Sequence, residues 1–167
     1  QNHEFLEGDV PYTLNPGGPN HEELSCLVGV YEYFMNLFEH HYPGENPSIR
    51  EKIHKVNELI AEHEKEIANP LLDYLTNRSD IKLIGKKTIT DKDRAPTIAF
   101  TMNNKSSKEL SSELVKHGIA TRNDNFYAWR CLTALGIDVD DGVVRTSMVH
   151  YNSLEDVEKL INALEKI

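Results

Sequence analysis

The chain has 167 residues, 27% of them charged and 39% apolar, with a formal net charge of −9. That length suits one domain with a real core, and the acidity argues against a nucleic-acid partner, which needs Lys and Arg clustered on one surface. No apolar run approaches the roughly 20 residues of a membrane span, no basic-then-apolar signal opens the chain, and the two cysteines have neither disulfide nor zinc spacing. A soluble, cytoplasmic protein without membrane or metal is expected.

Residues 1–19 collect Pro11, Pro16, Gly17, Gly18 and Pro19 and read as an extended loop. A helix should follow, with Asn20 as N-cap and Glu23 placed to reach back. Leu24, Leu27, Val28, Tyr31, Phe34, Met35 and Phe38 give it an apolar stripe. "HHYPGENPS" (40–48) ends it, with His40 and His41 where cations suit a helix C-terminus rather than as metal ligands. A longer helix is predicted from near Pro47, its apolar side running Ile49, Ile53, Val56, Ile60, His63 and Ile67. Pro70 should kink or restart it, and Leu71, Leu72 and Leu75 carry the apolar side onward.

"IKLIG" (81–85) and "TIAFTM" (97–102) read as strands. Ser106 with Glu109 is a capping box for a helix whose core side is Leu110, Leu114 and Val115, stopped by Gly118. "IATR" (119–122) reads as a third strand, followed by a polar turn and a short helix ending at Gly136, with Cys131 as a core thiol. A strand over 143–149 leads to a last helix, capped by Ser153, that turns Leu154, Val157, Leu160, Ile161 and Leu164 inward. The sum is an α/β two-layer sandwich: a small four-stranded sheet with helices on one face, preceded by a long helix. Because a proline-glycine loop separates the first helix from that sandwich, residues 1–44 read as the trailing edge of a larger domain. Residues 45–167 read as a small α/β domain.

Common catalytic patterns are missing. "HEEL" (21–24) and "HEKEI" (63–67) lack the second histidine of a zinc-protease helix, and no phosphate-binding glycine fingerprint appears. His54-Lys55 falls on the polar side of the long helix and reads as a solvated pair. Three stretches stand out. "LNPGGPN" (14–20) sets two glycines before a helix N-terminus, where free N–H groups can cradle a phosphate, though a plain turn has the same look. "GIATRNDNFYAW" (118–129) puts Arg122, Asn125 and Tyr127 on a strand-to-helix turn. "VVRTSMVHYN" (143–152) puts Arg145 on the same strand face as Ser147, and an arginine fork matches a carboxylate.

Those three stretches, in that order, resemble the C-terminal part of class V aminotransferases, in the cysteine desulfurase-like and selenocysteine lyase-like branch of fold type I. The resemblance implies pyridoxal 5′-phosphate, a homodimer and a small amino-acid substrate. It implies that Gly17, Gly18 and Asn20 lie at the turn that helps bind the phosphate of the partner subunit's cofactor, with Gly18 in place of the usual threonine. It implies that Arg145 grips the substrate carboxylate, with Arg122, Asn125 and Tyr127 beside it. Tyr127 falls where true desulfurases of one group carry a persulfide-forming cysteine, which leaves desulfurase, selenocysteine lyase, epimerase and aminotransferase open. The family's cofactor lysine is expected upstream of residue 1, so no catalytic residue and no stable cofactor binding are expected within these residues. A free-standing small-molecule-sensing or interaction domain without catalysis is the alternative.

Overall fold

The computed structural model describes residues 18–167, so Gly17 and most of the predicted N-terminal loop lie outside the described residues. Two compact units divide the chain, one reaching Asn57 and the other Glu58–Ile167.

In the first unit, helix α1 (His21–His41) opens on the predicted N-cap, the Asn20 side chain accepting the Glu23 N–H at 3.1 Å, without the return bond expected from the Glu23 side chain. Its stripe is mostly uncovered: Leu24, Leu27, Val28 and Tyr31 are 45–63% exposed, and Phe38 alone is buried. Helix α2 (Ile49–Asn77) starts two residues after Pro47, because Ser48 takes the capping role with Glu51, whose carboxylate accepts the Ser48 N–H at 2.9 Å. It also runs unbroken through Pro70, against the expected restart. A helical proline costs about 3 kcal/mol. Leu71, Leu72 and Leu75 are all fully buried, and burial of each side chain contributes roughly 1.5–3 kcal/mol, which outweighs the lost hydrogen bond.

The second unit holds a four-stranded antiparallel sheet in the order β1-β2-β4-β3, from β1 (Ile81–Ile84), β2 (Thr97–Met102), β3 (Arg122–Asp124) and β4 (Val143–Ser147). Strand alternation sends Ile98, Phe100, Val144 and Thr146 to one buried face. Against that face lie the later turns of α2, helix α3 (Ser107–Lys116) and helix α5 (Leu154–Leu164), through Leu71, Leu75, Leu110, Leu114, Val157 and Leu164. The predicted capping box of Ser106 with Glu109 forms, and the predicted Ser153 cap is itself part of a capping box with Asp156. The short α4 (Trp129–Ala134) lies over the other face. Its C-cap residue Leu135 accepts a hydrogen bond from Lys82 at 2.8 Å, and Leu132 and Val143 are buried apart from the main cluster.

Five boundaries or sides differ from the sequence reading. Ile119 is not in a strand: its N–H bonds back to the Leu114 carbonyl at 3.0 Å around Gly118, whose φ is 74°, so β3 starts only at Arg122. Strand β4 stops at Ser147 because the Val149 N–H donates to Asn152 Oδ1 at 2.9 Å, forming a turn. Val115 and Leu154 are 62% and 47% exposed rather than inward, since each lies at the edge of its helix's apolar arc. Cys131 is exposed, because six residues of α4 bury only one side chain, Leu132. No helix among the described residues is long and apolar enough to cross a membrane.

Candidate functional site

The candidate site lies on the outer face of the sheet. On β4, Val144 and Thr146 point into the core, so Arg145 and Ser147 must point out. The register sets Arg122 of β3 directly opposite Arg145 on one side and the small Ala99 of β2 on the other. Like charges directly opposed across strands destabilise a sheet, by up to about 1 kcal/mol. Neither guanidinium has a hydrogen-bond or ion-pair partner among the described residues, and the Arg145 Nε is buried with no acceptor. A fully partnered arginine shows the contrast. Arg78 grips Asp80 with two bonds of 2.7 and 2.6 Å and also reaches Tyr74 at 2.6 Å. Its pKa is raised, first by the Asp80 hydrogen bond.

A tight turn between β3 and α4 completes the site. The Ala128 N–H donates to the Asn125 carbonyl at 2.9 Å, and the two residues between, Phe126 and Tyr127, have φ of 51° and 60°. This is the pattern of a turn that normally takes Asn-Gly. Left-handed backbone costs a side-chain-bearing residue roughly 1–2 kcal/mol. Asn125 holds the turn from both ends: Oδ1 accepts the Tyr127 N–H at 3.0 Å and Nδ2 donates to the Val139 carbonyl at 3.2 Å. Gly142, at φ 73°, lets the chain pass so close that a Cβ would overlap the Asp124 backbone. The result is that Tyr127 is fully exposed, while the Phe126 ring lies 4.3 Å from the Arg145 guanidinium carbon. Ser147 lines an adjoining cleft of about 320 Å³ with Thr121, Asn152 and Lys159.

Of the residues singled out in the sequence, Arg122, Asn125, Tyr127 and Arg145 thus come together on two strands and one turn. Gly17 lies outside the described residues, Gly18 has open space around its Cα, and the Asn20 side chain is used as a helix cap. His54 is exposed, and Lys55 bonds Glu45 while standing 4.6 Å from the Tyr42 ring centre. That Glu45 bond holds the Lys55 ammonium above its usual range. Phe126 was missed in the sequence. The one available signal was an aromatic residue in the polar run "NDNFY", which does not reveal a backbone of positive φ.

The sequence pattern of the aminotransferase class-V family matches residues 52–160. An aminotransferase-like protein of Gibberella zeae is 36% identical over 159 residues, covering 92% of this chain and 37% of its own length. A cysteine desulfurase of Shigella flexneri is 28% identical over 158 residues, 95% of this chain and 32% of its own. Among solved structures, the apo cysteine desulfurase of Thermococcus onnurineus has a similar fold, with a TM-score of 0.60 at 24% identity over 71% of this chain and 28% of that one. The chain therefore spans about a third of the length of the curated relatives it matches.

Proposed function

The chain belongs to the class-V aminotransferase family, and from that premise we propose that it supplies the carboxylate-gripping part of a pyridoxal-phosphate-dependent enzyme acting on a small amino acid. Arg145 is the carboxylate ligand, Arg122 the second cation, and Asn125 with Tyr127 the rim. One observation carries this reading: two guanidinium groups face each other in register without acceptors, in a chain whose net charge is −9. A bound carboxylate turns their repulsion into attraction. Curated relatives named as cysteine desulfurases support an amino-acid substrate. A phenol cannot carry a persulfide, so Tyr127 is assigned no sulfur chemistry.

The residues present do not fit pyridoxal phosphate as a covalently held group. A lysine that bonds it needs desolvation or a neighbouring cation to lower its pKa. None of the lysines is buried, and the pKa of Lys55 is raised instead. We place the cofactor lysine elsewhere in a longer cytoplasmic, homodimeric enzyme, and take this chain alone to be inactive. Gly17, Gly18 and Asn20 would then offer backbone N–H groups to the partner subunit's cofactor phosphate, since the Asn20 side chain is already bonded.

Titration of the chain with L-alanine tests the carboxylate grip. Charge-assisted hydrogen bonds contribute roughly 1.5–3 kcal/mol, so Arg145→Ala should weaken binding about ten- to a hundredfold. Arg145→Lys should restore little of it, because a point charge cannot reproduce the fork. Unchanged affinity in the alanine variant would end the assignment. Borohydride trapping after addition of pyridoxal phosphate tests the second half, and a single stoichiometrically labelled lysine would show that the chemistry resides in this chain.

A further inference from the structure

We propose that Phe126 is a positioning residue for Arg145, holding the guanidinium so that its terminal amino groups are what a bound carboxylate meets. The inference rests on the carboxylate reading above, and its test separates the two. The Arg145 guanidinium carbon stands 4.3 Å from the centre of the Phe126 ring, close enough for a cation–π attraction. The Nε is buried without an acceptor, so Nη1 and Nη2 are the donors left to a ligand. Arg122, opposite in register, repels Arg145 and favours rotamers that swing it off the site. The ring opposes that swing, and a fork already held in place loses less freedom when it binds.

The backbone adds an independent reason. Phe126 reaches the guanidinium only through two consecutive residues of positive φ, itself at 51° and Tyr127 at 60°. Local propensity opposes aromatic side chains there, and glycine would fit the turn better. Strain of this kind persists where the surroundings over-determine it, and it clusters at binding sites. Here the surroundings are Asn125, bonded to Tyr127 and Val139, and the close passage at Gly142.

The experiment is an NMR titration of the 167-residue chain with sodium acetate at constant ionic strength, following the Arg145 Nε–H signal in the wild type and backbone amides of β4 in every variant. Phe126→Leu keeps the bulk and removes the π face; it should weaken acetate binding roughly three- to tenfold. Phe126→Trp offers a better π face and should bind at least as tightly as the wild type. Phe126→Gly relieves the turn, so its denaturant midpoint should stay level or rise while its binding falls as in the leucine variant. A ring that matters only to packing gives the opposite pattern: the glycine variant unfolds earlier and the leucine variant binds acetate as the wild type does. That pattern, or wild-type binding in both variants, overturns the proposal while Arg145→Ala still weakens binding about tenfold or more. Wild-type binding in Arg145→Ala overturns the carboxylate reading, and this inference with it.

Discussion

The same two strands, β2 and β4, make two faces that obey opposite rules. On the inner face Ile98, Phe100 and Val144 are fully buried against α2, α3 and α5. One residue away on the outer face stand Ala99 and Arg145, with Arg122 across from Arg145. The inner face of these strands has no charge, and its one hydroxyl, that of Thr146, donates to the Ile98 carbonyl at 3.4 Å. On the outer face Arg122 and Arg145 stand opposite each other, and neither has an acceptor among the described residues. A fold gains nothing from that arrangement by itself. The difference teaches that one sheet can keep its packing on one side and unpaired cations on the other, where the proposed carboxylate site lies.

Substitutions on the two faces should therefore separate stability from binding. The largest effect is expected from Phe100→Ala. Phe100 is fully buried and paired in register with Leu83 and Val144, so the change should lower unfolding free energy by about 3–5 kcal/mol. Chemical denaturation reads it, and a loss under about 1 kcal/mol would break the division between faces. Next comes Gly142→Ala. The φ of 73° and the overlap with the Asp124 backbone make a loss of at least roughly 1–2 kcal/mol the expected result. Its place beside β3 and the Asn125 turn means that carboxylate binding should fall as well. Retained binding at reduced stability would show that the turn is not held by this close passage.

The inner face was largely legible in the sequence and the outer face only in part, for physical reasons. Capping at Ser106 and Ser153 depends on residues three apart, and alternation in "TIAFTM" needs only the pleat, so both could be read locally. The limits of a helix's buried arc could not. Val115 follows Leu114 by about 100° around the helix, and whether that angle is covered depends on neighbours distant in the chain. Continuity through Pro70 likewise depends on the burial of Leu71, Leu72 and Leu75. Arg122, Asn125, Tyr127 and Arg145 were visible as chemistry, but their assembly needed the register of β3 on β4. The contribution of Phe126 was invisible because the positive φ that brings it under Arg145 is imposed by contacts at Val139 and Gly142.

Acid should act on the caps of the helices that cover the inner face. The carboxyl of Asp156 is held below its usual range, first by the Ser153 backbone N–H, and that of Glu109 first by the Ser106 backbone N–H. A carboxylate depressed in the folded state stabilises it above its unfolded pKa, near 4, and that stability is lost as pH falls through the folded value. Asp156→Asn and Glu109→Gln should therefore flatten the fall in denaturation midpoint between neutral pH and about pH 3. Arg145→Ala should leave that slope unchanged. A slope altered by the arginine variant and not by the cap variants would reverse the roles of the two faces.

The smallest effect on stability should come from Arg145→Ala itself, and it is the most telling. Truncation removes the guanidinium's contact with the Phe126 ring, which costs a little. It also removes a buried Nε without an acceptor and the repulsion from Arg122, which gives a little back. These opposing terms should leave the unfolding free energy within about 0.5 kcal/mol of the wild type, as for an ordinary surface position. Binding of a carboxylate should nonetheless collapse in the same variant, so one sample measured two ways gives both numbers. If Arg145→Ala instead lost about 2 kcal/mol or more, on the scale of a broken structural network, the guanidinium would be holding the fold together. The outer face would then differ from the inner only in the kind of contact that stabilises it.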